Sequence, residues 1–166
     1  MTTVDGLPAH ILLVHAIVVL LPLSALLLVL TALWPAARAK LAGPNAILAV
    51  LVVVLVPITT DAGEWLERRV ARSPLVRTHT ELGDTAIWVA IPVAVLALLV
   101  WWRQRETGTK SRRTFLGPAS KAVTVVLAVL SLAAAGAAVF DIYRIGDSGA
   151  QAGWEGQFSS APAAGR

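Results

Sequence analysis

Apolar positions along the chain gather into four long stretches separated by short polar segments. The first, His10 to Trp34, holds about 25 residues, more than the roughly 20 that cross a 30 Å hydrocarbon core at 1.5 Å per residue, so it predicts a tilted membrane span. A secretory signal would carry a basic leader and a shorter apolar stretch. The preceding residues contain Asp5 and no Lys or Arg, so a retained helix is expected, with Asp5 as N-cap and Pro8 in the first turn. The second stretch, Ala46 to Thr60, has only about 15 apolar residues. To span, it must continue through Asp61-Ala62-Gly63-Glu64-Trp65, which puts carboxylates at or inside a membrane boundary. The third, from about Asp84 to Trp102, and the fourth, from about Lys121 to Tyr143, have ordinary spanning length.

The intervening segments 35–45, 67–83 and 103–121 are rich in Pro, Gly and charge and read as loops. Short links make successive helices antiparallel neighbours. The predicted fold is therefore all-α, an integral membrane four-helix bundle of up-down-up-down topology. Residues 1–150 form the transmembrane domain and residues 151–166, rich in Gly, Ala and Ser, a flexible tail. Pro22, Pro57 and Pro92 fall within spans and bend them. Ala133 to Ala138, interrupted by Gly136, offers a smooth surface for close helix approach.

Composition agrees with that pattern. The chain is 57% hydrophobic and 14% charged, against roughly 25% charged in soluble domains, and its mean hydropathy is +0.73. The absence of Cys excludes disulfides, Fe–S clusters, thiolate zinc and covalently attached c-type haem, and the sole Met is the initiator. The net charge of +4 mostly reports the basic bias of the loops and contact with anionic lipid, since no basic groove with interleaved aromatics points to nucleic acid. Eight basic residues (Arg38, Lys40, Arg103, Arg105, Lys110, Arg112, Arg113, Lys121) belong to one end and six (Arg68, Arg69, Arg72, Arg77, Arg144, Arg166) to the other. The larger set is expected on the cytoplasmic side, with both termini outside and the protein multi-pass in the cell membrane.

All three histidines and nine of the ten acids map to the other end. His15 lies about 7.5 Å deeper than His10 along a helix, and an ionisable group inside a span is costly and functional by default, so His15 is singled out first. His10 and His15, five apart, differ by roughly 140° around the helix and cannot both face one interior point. Asp61 and Glu64 share a face, and Glu64 can also pair with Arg68. His79 precedes Glu81, Gly83 and Asp84, while Asp141, Tyr143, Arg144 and Asp147 leave the fourth helix at the same end.

Gly6-Leu7-Pro8-Ala9-His10, Leu13-Val14-His15, Asp61-Ala62-Gly63-Glu64-Trp65-Leu66, His79 with Gly83-Asp84, and Tyr143-Arg144-Ile145-Gly146-Asp147-Ser148-Gly149-Ala150 together resemble the bacterial membrane family catalogued as domain of unknown function 2231. The similarity runs from about Leu7 to Trp154. It implies a four-span protein of undefined activity, sometimes fused to Rieske or cytochrome-type redox domains. The chain departs from the family pattern at Ile11 and Ala16, and at Asp147, where a His is frequent.

Three functions compete at this stage. A redox protein would hold one haem b near the outer face, with ligands drawn from His15, His79 and His10 and with Gly63 and Gly83 making room for the macrocycle. Three histidines allow at most one bis-histidine haem. A mixed site for a transition metal would use His15, Glu64 and His79 as ligands, oriented by Asp61, Asp84 or Asp147. The same residues could instead serve a metal-free proton relay. In a structural reading no cofactor is held, His15 is a core histidine, Asp61 and Glu64 pair with Arg68 and Arg77, and the protein scaffolds a partner. The redox readings imply an extracytoplasmic redox partner beside the lipid bilayer. Whether the chain is an enzyme, and its oligomeric state, stay open, and no Walker motif or Ser-His-Asp order is present.

Overall fold

The computed structural model describes residues 3–107, 116 and 120–156. The chain opens with a small antiparallel ladder, β1 (Thr3–Val4) against β2 (Leu7–Pro8). Asp5 and Gly6 close it at φ of 48° and 81°, the left-handed pair that a two-residue hairpin requires and that Asp-Gly supplies. Asp5 is thus consumed by the turn rather than capping the helix as expected. Pro8 takes the N-cap place of α1 (Ala9–Leu33), with no side-chain cap.

Helix α2 (Pro35–Glu67) begins one residue after α1 ends, so the expected loop 35–45 is helical. Pro35 sits in the first turn, where its missing N–H costs nothing. Arg38 reaches back, donating from Nε to the Thr31 carbonyl at 2.7 Å and from Nη2 to the Ala32 carbonyl. These are among the acceptors that the end of α1 leaves open. Gly43 lies under the Trp101 indole, where a Cβ would come within 3.3 Å of Nε1. Pro and Gly therefore serve packing here, not a turn.

The segment read as the second loop also contains a helix, α3 (Pro74–Gly83). Its N-cap Ser73 accepts from the Val76 amide at 3.1 Å. Helix α4 (Ala86–Thr107) follows, and α5 (Lys121–Trp154) is capped by Ser120. Gln151 to Trp154, placed in the tail by composition, are helical. The rest of that tail from Gln157, together with Lys110, Arg112 and Arg113, lies outside the described residues.

Four segments are long and apolar enough to cross a membrane: α1, α2, α3 with α4, and α5. They pack in a ring in which α1 touches α2, α2 touches α4, α4 touches α5, and α5 closes on α1. Leu21, Leu28, Val52, Val93 and Ala138 fill the interior, while Val19, Ile47, Trp88 and Val125 cover the outside. Apolar residues on both faces are what a lipid-immersed bundle requires, because tight packing and polar contacts rather than hydrophobic contrast hold its helices together. One such contact is buried mid-bundle, where Ser24 of α1 meets Asn45 of α2 at 3.0 Å. With the Asn45 amide oriented to suit its neighbours, it donates to Ser24 and accepts from the Leu28 amide.

Candidate functional site: a histidine pair at one end of the bundle

His10 stands in the first turn of α1 with Nδ1 3.0 Å from the Thr59 carbonyl of α2. A carbonyl only accepts, so Nδ1 carries a ring proton and donates it to Thr59. His79 stands on α3 with Nδ1 3.1 Å from Ser148 Oγ of α5. The Ser148 hydroxyl donates its proton to the Ile145 carbonyl at 2.9 Å, so it accepts from His79, whose proton is likewise on Nδ1. The two rings face each other at 6.3 Å between centroids, with planes 71° apart. The hydrogen bonds described for the two rings are made through Nδ1, and the His79 ring also interacts with the backbone of Ile145.

Two glycines make the approach possible. A Cβ at Gly63 would lie 2.9 Å from His10 Cε1, and one at Gly149 would lie 2.9 Å from His79 Cε1. Both are closer than real Cβ contacts come, so each imidazole lies flush on helix backbone. Gly63 was expected to leave room and does so, but its space is filled by His10. Gly83 has nothing near it.

The structure brings His10 and His79 together and leaves His15 apart. His15 is exposed on the outer surface of the bundle, its Nδ1 turned to the Ile11 carbonyl one turn back on its own helix. This follows from the helical phase: with His10 turned to α2, a residue 140° away faces outward. The local bond to Ile11 relieves the cost that depth alone seemed to impose. The carboxylates do not converge either. Glu64 is exposed and pairs loosely with Arg68 at 3.7 Å, and Asp147 accepts from Gln151 at 2.9 Å. Asp61 and Asp84 are exposed, and Arg77 pairs with Glu81 rather than with an acid of α2. Among the described residues no three His, Asp or Glu side chains gather as a metal site would need, so the mixed set of His15, Glu64 and His79 is not assembled.

Thr59 escaped the sequence reading, and Ser148 and Gly149 stood in the family motif without a role. Thr59 contributes only a carbonyl, which no side chain announces. Ser148-Gly149 carried a signal in hindsight, a hydroxyl beside the smallest residue on the helix face that also carries Asp141 and Ile145.

No curated protein and no solved structure matches this chain. A family profile described as predicted membrane protein (DUF2231) matches residues 6–162. That stretch contains the histidine pair, both glycines and all four spanning segments, and the chain belongs to this family.

Proposed function

We propose that the protein is a membrane electron-transfer protein that holds a single haem b between His10 and His79, close to the extracytoplasmic face. The observation that carries this reading is the separation of the two rings, 6.3 Å with both Nδ1 atoms engaged. Two metal–nitrogen bonds of about 2.0–2.1 Å, with a ring radius added at each end, put imidazole centroids about 6 Å apart. Metal-bound histidines typically donate their other N–H to a carbonyl or similar acceptor, which fixes ring orientation and raises basicity. The Thr59 carbonyl and Ser148 hydroxyl do this here. The donor set also fits in number. Zinc and non-haem iron sites take three or more protein ligands, whereas haem brings four nitrogens and asks the protein for one or two axial groups.

Haem bound there would supply one-electron transfer. The protein's part would be to hold the two imidazoles against glycine backbone and to anchor each through Nδ1. The excess of basic residues at the opposite end supports an extracytoplasmic side for the pair, where a redox partner would exchange the electron. A structural reading, in which the histidines only tie α1 to α2 and α3 to α5, accounts for the two Nδ1 bonds but gives the approach of the two rings no role.

The test is an absorption spectrum of detergent-purified protein, oxidised and reduced, after expression with haem and metals supplied, together with elemental analysis. A haem spectrum is expected in the wild type and in His15→Ala, and its loss is expected in His10→Ala and His79→Ala while helix content stays unchanged. A wild type that binds neither haem nor metal would give the structural reading the site. Loss in His15→Ala alone would move the ligand to the outer surface of α1.

A further inference from the structure

One buried ionisable group takes no part in the histidine pair. Asp141 of α5 is 7% exposed and makes no ion pair with any described residue. Its two carboxyl oxygens lie 2.9 and 3.0 Å from one hydroxyl, Thr85 Oγ1, at the join of α3 and α4. That hydroxyl is closer still to the Leu82 carbonyl, at 2.6 Å. The charged groups around it are occupied elsewhere. On α5 Arg144 and Asp147 are exposed, and on α3 the Arg77–Glu81 pair and Asp84 are exposed while His79 is bonded to Ser148. On α1 His10 is bonded to Thr59 and His15 is exposed, on α2 Asp61 and Glu64 are exposed, and the ionisable residues of α4 lie at its far end.

Proton counting gives this arrangement two states. A threonine hydroxyl carries one hydrogen, and here three oxygens stand within reach of it. If it donates to Asp141, a buried carboxylate is held by a single hydrogen bond, far short of what a desolvated charge requires. If it donates to Leu82, the short Asp141–Thr85 contact needs a hydrogen from the carboxyl group itself. The chain Asp141 O–H to Thr85 Oγ, and Thr85 O–H to the Leu82 carbonyl, then satisfies every member with no buried charge.

We propose that Asp141 is a proton-binding site, with the Thr85 hydroxyl as its switch. A proton from water at this end of the bundle joins a carboxylate oxygen, and the Thr85 O–H turns from the carboxylate to the Leu82 carbonyl. Release reverses both movements, and no other bond forms or breaks. The site stands independently of what the histidine pair binds, and it gives this end of the membrane domain a place to store a proton.

Infrared difference spectroscopy tests it, on full-length protein in phosphatidylcholine nanodiscs, as acid minus alkaline spectra. A protonated-carboxyl C=O band is expected that shifts down in D2O, disappears in Asp141→Asn and persists in the exposed-site control Asp147→Asn. Thr85→Val removes the hydroxyl partner without touching the carboxyl and should move the band to higher frequency, so the assignment survives even if Asp141→Asn fails to fold. Absence of the band throughout the pH range where the protein is monodisperse would overturn the proposal. So would a band unmoved by Thr85→Val.

Discussion

At one end of the bundle two imidazoles from separate helices meet, and at the other two arginines are spent on the junctions between helices. His10 and His79 arrive from α1 and α3, each anchored through one ring nitrogen. Arg38 spends donors on the Thr31 and Ala32 carbonyls that close α1. Arg103, 4% exposed, donates to the Ser120 carbonyl at 3.0 Å and to Thr124 Oγ1 at 2.7 Å, where α5 begins. The Arg38 contacts satisfy carbonyls left open where α1 ends, and the Arg103 contacts tie α4 to the start of α5. The histidine contacts also bring two rings together. On the reading proposed above, the bundle divides its polar residues between holding the fold and holding a ligand, and the division follows the ends of the helices.

If that division is real, the two ends respond differently to substitution. The largest effect is expected from Gly149→Val, which drives a side chain into the space of the His79 ring. Haem-to-protein ratio should fall to background while the protein remains inserted, and overpacking should cost about 1–3 kcal/mol of stability. Retention of full haem content would mean the rings do not need the positions described. Arg103→Ala, at the opposite end, should cost about 1.5–3 kcal/mol, the usual worth of hydrogen bonds to a charged group, as read by unfolding in mixed micelles. Haem content should not change, and a parallel loss of haem would erase the distinction between the ends.

Between the ends, Ser24→Ala removes a hydrogen-bond partner of buried Asn45. It should destabilise by about 1 kcal/mol, in the range measured for hydrogen bonds between membrane helices, with the reduced absorption spectrum unaltered. The smallest effect is expected from Glu64→Gln. Glu64 and Arg68 are each more than half exposed and 3.7 Å apart, so the change should be below about 0.5 kcal/mol. A marked drop in bound metal or haem in this variant would return Glu64 to the ligand set.

The four spans were legible because lipid demands long unbroken apolar runs, and few other structures produce them. The helicity of residues 35–45 was not, because Pro35, Gly43 and Pro44 are loop formers in water, whereas neighbouring helices in a membrane can accept them. The histidine site was half legible. Spacing alone shows that His10 and His15 face different ways, but only the packing partners decide which of them faces inward. Gly63 and Thr59 on α2 settle that for His10. His79 needed more still, since α3 had to fold as its own helix and lie against α5 before Ser148 and Gly149 could receive it.

The single residue between α1 and α2 has a consequence for how the protein is made. Trp34 alone separates two long apolar helices, and Arg38 fastens their junction by hydrogen bonds to both Thr31 and Ala32. A nascent chain leaving the ribosome has no free loop there to separate the insertion of one helix from that of the next. The two helices should therefore enter as one hairpin bent at Trp34. Crosslinking of stalled nascent chains to lipid would read this directly: a hairpin brings α1 and α2 into the bilayer at the same chain length, whereas helices inserted one after the other place α1 there first.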